Sequence, residues 1–222
     1  MVDQEAKIFE RLEHFYDTVC RDVAIVEEHG GLVLFVRSGQ GWPFYARPRR
    51  GAPEAPSAAD VAAVRARQRA LGAPEAFEWV HETTPGLLAT VRAAGLPVLL
   101  APLLVLADGA RPDAAVPDGV RVRLIDQAGP GYAADLAAQR AVAQVGFGCP
   151  GTGIATAGPA ERDAVLAVPD PAALAEARRR AVSGRIVTAV AESATDGVLA
   201  SAVLQRVGDV AEIAGVATLP SA

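Results

Sequence analysis

Sulfur, aromatic rings and histidine are all scarce in this 222-residue chain, which has two cysteines, one methionine, 5% aromatic residues and three histidines. Cys20 and Cys149 lie far apart and match no zinc-binding or redox spacing, so the expected state is two reduced, partly buried thiols. No metal site is expected. There is no long apolar run either. The most apolar window, residues 96–107, is too short to span a bilayer and is broken by Pro97 and Pro102. The opening MVDQEAKIFERLEHFY is charged and amphipathic and lacks the apolar core of a secretion signal. A cytoplasmic protein with no membrane partner is the expectation. A net charge of −5 gives no global field that would recruit nucleic acid. Arg178, Arg179 and Arg180 form a lone basic cluster near a helix end, where cations complement the dipole, so no nucleic-acid partner is expected.

Alanine, glycine, proline and arginine fill the space, in the manner of a GC-rich coding sequence. With 51% hydrophobic and 21% charged residues the composition is that of an ordinary globular protein with a real core. Residues 5–19 place Ile8, Phe9, Leu12, Phe15, Tyr16 and Val19 on one helical face. Residues 24–28 and 32–37 are apolar runs separated by His29-Gly30-Gly31, a hairpin signal. A further strand is expected over 42–47, then a proline-rich loop. Asp60 stands where a helix N-cap should, before a helix that ends at Gly72. Residues 77–81 read as a strand. Thr84 reads as the N-cap of a helix with Pro85 at its first position and Gly95 past its end, and 98–106 read as a strand bent at proline. Trp42 and Trp79 read as anchors of this half's core.

The nonperiodic, Pro/Asp/Gly-rich stretch that follows is the best domain boundary, dividing the chain into residues 1–109, a linker over 110–117, and residues 118–222. The second half opens with a strand at 120–125 and a helix at about 130–143. The stretch VGFGCPGTGIATAG comes next, then helices at 159–166 and 171–183, the latter with Asp170 as N-cap. Strands at 186–192, 198–207 and 210–219 close it as an antiparallel meander. The class is mixed α/β. The glycine-rich stretch follows a helix and lacks a correctly placed G-K-[ST] or ribose-binding carboxylate, so it reads as a connector between helices, not a nucleotide loop. Cys149 has no histidine near it in sequence, which argues against a nucleophilic role. His81 and Glu82 are read as a packed or surface histidine and a helix-entry carboxylate.

Strand, helices and three antiparallel strands ending in AEIAGVATLPSA resemble the first two-thirds of the GNAT superfamily of acetyl-CoA-dependent N-acetyltransferases. The run PEAFEWVHETTPGLLATVRAAGL with PLLVL resembles the N-terminal domain of two-part bacterial members. The resemblance implies two GNAT-like halves. It places the family's fourth strand at residues 212–219 and its turn at Pro220-Ser221, with the glycine-rich pyrophosphate loop that follows in the family missing, so a second domain truncated after its fourth strand is expected. It implies acetyl-CoA as co-substrate, a small-molecule or peptide amine as acceptor, and direct transfer in a ternary complex; a homodimer is compatible with it. Glu212 is then the candidate general base, since acetylation needs a neutral amine and a nearby carboxylate can take its proton, directly or through water. The competing reading is a strand glutamate paired with Arg206. The backbone of Gly215, Val216, Ala217, Thr218 and Leu219 would contact acetyl-CoA, with the side chains of Val216, Ala217 and Leu219 serving packing. The glycine-rich connector would lie over the acceptor site. An inactive fragment serving only as a binding or structural module is the alternative, and an acyl-CoA sensor without transfer a third.

Overall fold

The computed structural model describes residues 2–38, 44–106, 109–110, 114–149, 151 and 153–222, the side chains from residue 6 onward. The chain divides into two compact units, Met1–Asp108 and Gly109–Ala222.

In the first unit α1 (Val2–Arg21) is followed by the antiparallel strands β1 (Ala24–His29), β2 (Leu32–Arg37) and β3 (Ala46–Pro48), then by α2 (Ala58–Ala70) and α3 (Gly86–Ala93). Alternation along β2 sends its side chains to opposite faces. Leu32 and Leu34 join Val61, Val64, Leu87 and Val91 in one cluster, and Val33 and Phe35 join Cys20 in another. The predicted apolar face of α1 is buried or half-buried throughout, with Phe15 at its centre. Buried Arg47 donates to Glu13 over 2.7 Å and lies on the Tyr16 ring, so its charge is both paired and stacked.

Five expectations need correction in this unit. The helix at 58–70 is capped by Ser57, not Asp60. Ser57 Oγ accepts from the Asp60 amide, while the Asp60 carboxylate accepts from the amides of Ser57 (2.8 Å) and Gly31 (3.2 Å). Asp60 thus completes a capping box and ties the helix to the β1–β2 turn, and these amides hold its pKa below the usual carboxylate range. Thr84 is not a cap: Pro85 occupies that position without a side-chain bond, and the helix starts at Gly86. Of the strand expected at 77–81 only Phe77 pairs, in a parallel bridge to Ala46, because β3 is three residues long and ends at a proline. Of the strand expected at 42–47 only the last residues are in β3, and Trp42 lies outside the described residues.

The fifth correction is the largest. Residues 98–106 form no strand, and Leu99 and Leu104 are 89% and 88% exposed. β-propensity places such a run in a sheet only when an edge accepts it, and Pro97 and Pro102 each remove a donor from the ladder.

The second unit is built on a four-stranded antiparallel sheet in the order β4 (Val120–Leu124), β5 (Ile186–Ser193), β6 (Gly197–Val207), β7 (Val210–Thr218). Helices α4 (Tyr132–Gly148), α5 (Pro159–Val165) and α6 (Pro171–Val182) connect the first strand to the second. Tyr132, Leu136 and Val142 of α4 pack with Val190, Val198 and Leu219, and Leu174, Ala177 and Ala181 of α6 pack against the same cluster. Asp170 caps α6 as predicted, accepting from the amides of Ala172 and Ala173. Arg123 of β4 clamps the unit on this side: its guanidinium donates to both oxygens of Asp135 and both of Glu192, at 2.8–2.9 Å. The same charge holds Glu192 below the usual carboxylate range.

Candidate functional site on the terminal strand

The hairpin of β6 and β7 turns at Gly208, whose φ of 58° suits only glycine comfortably. Pairing then runs Arg206 with Ala211, Gln205 with Glu212, Leu204 with Ile213 and Val203 with Ala214. Glu212 is half-buried and stands opposite Gln205, not Arg206; the Arg206 Nε donates instead to the Gly208 carbonyl at 2.9 Å.

Past Ala214 the register changes. Ser201 pairs with Ala217, so one residue of β6 lies between paired positions while β7 has two, Gly215 and Val216. Gly215 has φ 61°, the signature of a bulge built on a left-handed glycine. The bulge reverses which side chains face the helices. In a straight strand Ala214, Val216 and Thr218 would share a face with Glu212. Here Ala217 and Leu219 take that face and are 7% and 0% exposed, while Val216 is 60% exposed. Of the three side chains expected to serve packing, Ala217 and Leu219 do so and Val216 does not.

The strand is held at this height from one side by α4. A Cβ on Gly146 would meet the Thr218 carbonyl at 3.0 Å and the Ala217 Cβ at 3.1 Å, so the helix approaches as closely as glycine permits. This corrects the expected end of that helix: it continues through Val145-Gly146-Phe147-Gly148, the first part of the glycine-rich stretch. After β7 the Leu219 amide donates to Leu199, Ala155 donates to the Pro220 carbonyl (2.8 Å) and Ser221 to the Ala157 carbonyl (3.0 Å). The connector between α4 and α5 therefore runs along the end of β7 as a strap. Thr152, within it, lies outside the described residues.

Two features escaped sequence reasoning. A glycine inside an apolar strand signals a bulge, but its register depends on the partner strand. Ser201 gave no signal in its run of small residues; it is 3% exposed, faces Ala217, and its Oγ has no partner. The outer edge of β7, last in the sheet order, has no strand neighbour among the described residues. Across the sheet from the helices, Val122, Leu124, Ile213 and Val216 lie exposed on one apolar face. Among the described residues no group of three His, Cys, Asp or Glu could hold a metal ion, and no helix is long and apolar enough to cross a membrane.

No protein-family model matches the chain, and no curated protein matches it. A solved structure does: a GCN5-related N-acetyltransferase from Kribbella flavida is similar over 96% of this chain and 73% of its own, with a TM-score of 0.63 and 21% identity. That likeness shows the fold, a mixed α/β architecture of the GNAT type.

Proposed function

We propose that the chain is an N-acetyltransferase that moves an acetyl group from acetyl-CoA to a primary amine, on a small molecule or a peptide, by direct transfer in a ternary complex. The observation that carries this reading is the bulged terminal strand. An acidic side chain, a left-handed glycine and a backbone edge with no strand neighbour among the described residues follow one another within residues 212–218. Bulges of this kind are over-represented beside active sites, where they re-aim backbone and side chains.

In this reading the backbone of Gly215–Leu219 orients the thioester and the extended arm of the co-substrate, and Glu212 is the general base. The neutral amine nitrogen attacks the thioester carbonyl carbon, and the C–S bond breaks as the C–N bond forms. The electron pair leaves with sulfur as a thiolate, and the amine proton passes to Glu212 directly or through water. Residues 118–222 form the catalytic domain and residues 1–109 its GNAT-like companion, joined by 110–117, in a cytoplasmic enzyme.

Glu212→Gln tests the assignment. The rate should fall, and the rise of rate with pH given by an ionising base should disappear; an unchanged pH–rate profile would remove Glu212 from the mechanism. A second reading, a binding or structural module without transfer, is favoured by the exposed apolar sheet face at Val122, Leu124, Ile213 and Val216.

A further inference from the structure

The three consecutive arginines of α6 do not share one role. Arg179 is exposed and pairs with Glu176 one turn back. Arg178 turns the other way, towards α4, and lays its guanidinium over the Tyr132 ring, 4.9 Å from the centroid. Helix periodicity explains the meeting. Tyr132, Leu136 and Arg140 recur every fourth residue on one face of α4, as Leu174 and Arg178 do on α6, and Leu136 and Leu174 lie in the same apolar cluster. The cleft between the two helices thus has an apolar floor, with Arg178 half-buried beside it and Arg140 exposed.

Tyr132 joins the two charges. It is 5% exposed, yet its hydroxyl makes no hydrogen bond among the described residues and is not sealed from solvent. Burial raises the hydroxyl's pKa, while the charges of Arg178 and Arg140 pull it down, so both guanidinium groups lie near a group that stays a protonated donor at neutral pH. Arg140 stands about 12 Å along the axis from Tyr132, a gap that two long side chains close. No acid of either helix is left to balance the pair. The single acid of α4, Asp135, is held by Arg123, and the single acid of α6, Glu176, by Arg179. Two cations drawn towards one hydroxyl repel each other unless an anion lies between them.

We infer that Arg140, Arg178 and the Tyr132 hydroxyl bind a phosphate group, free or carried as a monoester, in the cleft between α4 and α6. A guanidinium fork fits two oxygens, and two forks with one O–H match both the terminal oxygens and the charge of a phosphate dianion. None of these residues lies on β7, so the site is separate from the chemistry at Glu212. Sodium phosphate and glycerol phosphate are each titrated into the full, ¹³C,¹⁵N-labelled chain at constant ionic strength, with sodium chloride as the blank. Saturable shifts of the Arg140, Arg178 and Tyr132 side-chain resonances are expected, and the tighter ligand identifies the source. Arg178→Gln and the fully exposed change Arg140→Gln should each weaken binding about tenfold or more, the worth of a charge-assisted hydrogen bond. Tyr132→Phe keeps the packed ring and should weaken it about three- to tenfold. Arg179→Gln should bind as the parent does. No saturation up to tens of millimolar of either ligand, equal weakening by Arg179→Gln and Arg178→Gln, or shifts reproduced by chloride would overturn the assignment.

Discussion

Replacing Gly215 by alanine separates a bulged β7 from a straight one by the sign of its effect. At φ 61° an L-residue pays the left-handed penalty, roughly 1–2 kcal/mol. Steric crowding adds nothing, since the new Cβ would meet only Val203 Cγ2, at 3.9 Å. Gly215→Ala should therefore destabilise the chain by about 1–2 kcal/mol, a fall of about 0.5–1 M in the urea midpoint for an ordinary slope. In a straight strand the same change would stabilise by about 0.5–1 kcal/mol, because glycine there only adds entropy to the unfolded chain. Gly215→Asn serves as control: asparagine tolerates the left-handed region and should lose less than alanine. Urea unfolding followed by circular dichroism reads all three proteins. An alanine variant as stable as the parent, or more so, would refute the bulge and with it the reversal that buries Ala217 and Leu219.

Two further outcomes follow from packing and charge. Gly31→Ala puts a Cβ 2.8 Å from the Pro56 backbone, where nothing can rotate away, and should cost about 1–3 kcal/mol in urea unfolding; a neutral result would mean that the β1–β2 turn does not rest on residues 55–56. Arg123→Met removes the partner of Asp135 and Glu192 and should cost about 1–3 kcal/mol near neutral pH, less to the extent that water screens these partly exposed groups. Glu192 has a depressed folded pKa, so its contribution is fully present above its unfolded value of about 4.3 and is lost as pH falls through the lower folded value. The parent should thus lose stability over that acid window more steeply than Arg123→Met, and parallel curves would contradict the clamp.

The meander of the second unit was legible because turn glycines and alternating apolar residues agree on the same ends. The expected strands at 186–192, 198–207 and 210–219 match β5, β6 and β7 to within one residue. Asp170 was legible for a similar reason, since proline follows it at the first helical position. Asp60 was misread because Ser57 and Asp60 are both good caps, and their roles are divided by the Gly31 amide, a tertiary partner. Residues 98–106 were misread because composition cannot show whether an edge exists to accept a strand. At the site, Glu212 and the apolar strand were visible in the sequence. The phase change at Gly215 was not, because a bulge exists only relative to the register of β6.

The most direct test of the proposed function is calorimetric titration of acetyl-CoA into the chain. Saturable binding in the micromolar range, weakened in Gly215→Ala, is the predicted result. No heat of binding at millimolar acetyl-CoA would contradict the acetyltransferase reading and leave the binding or structural module in its place.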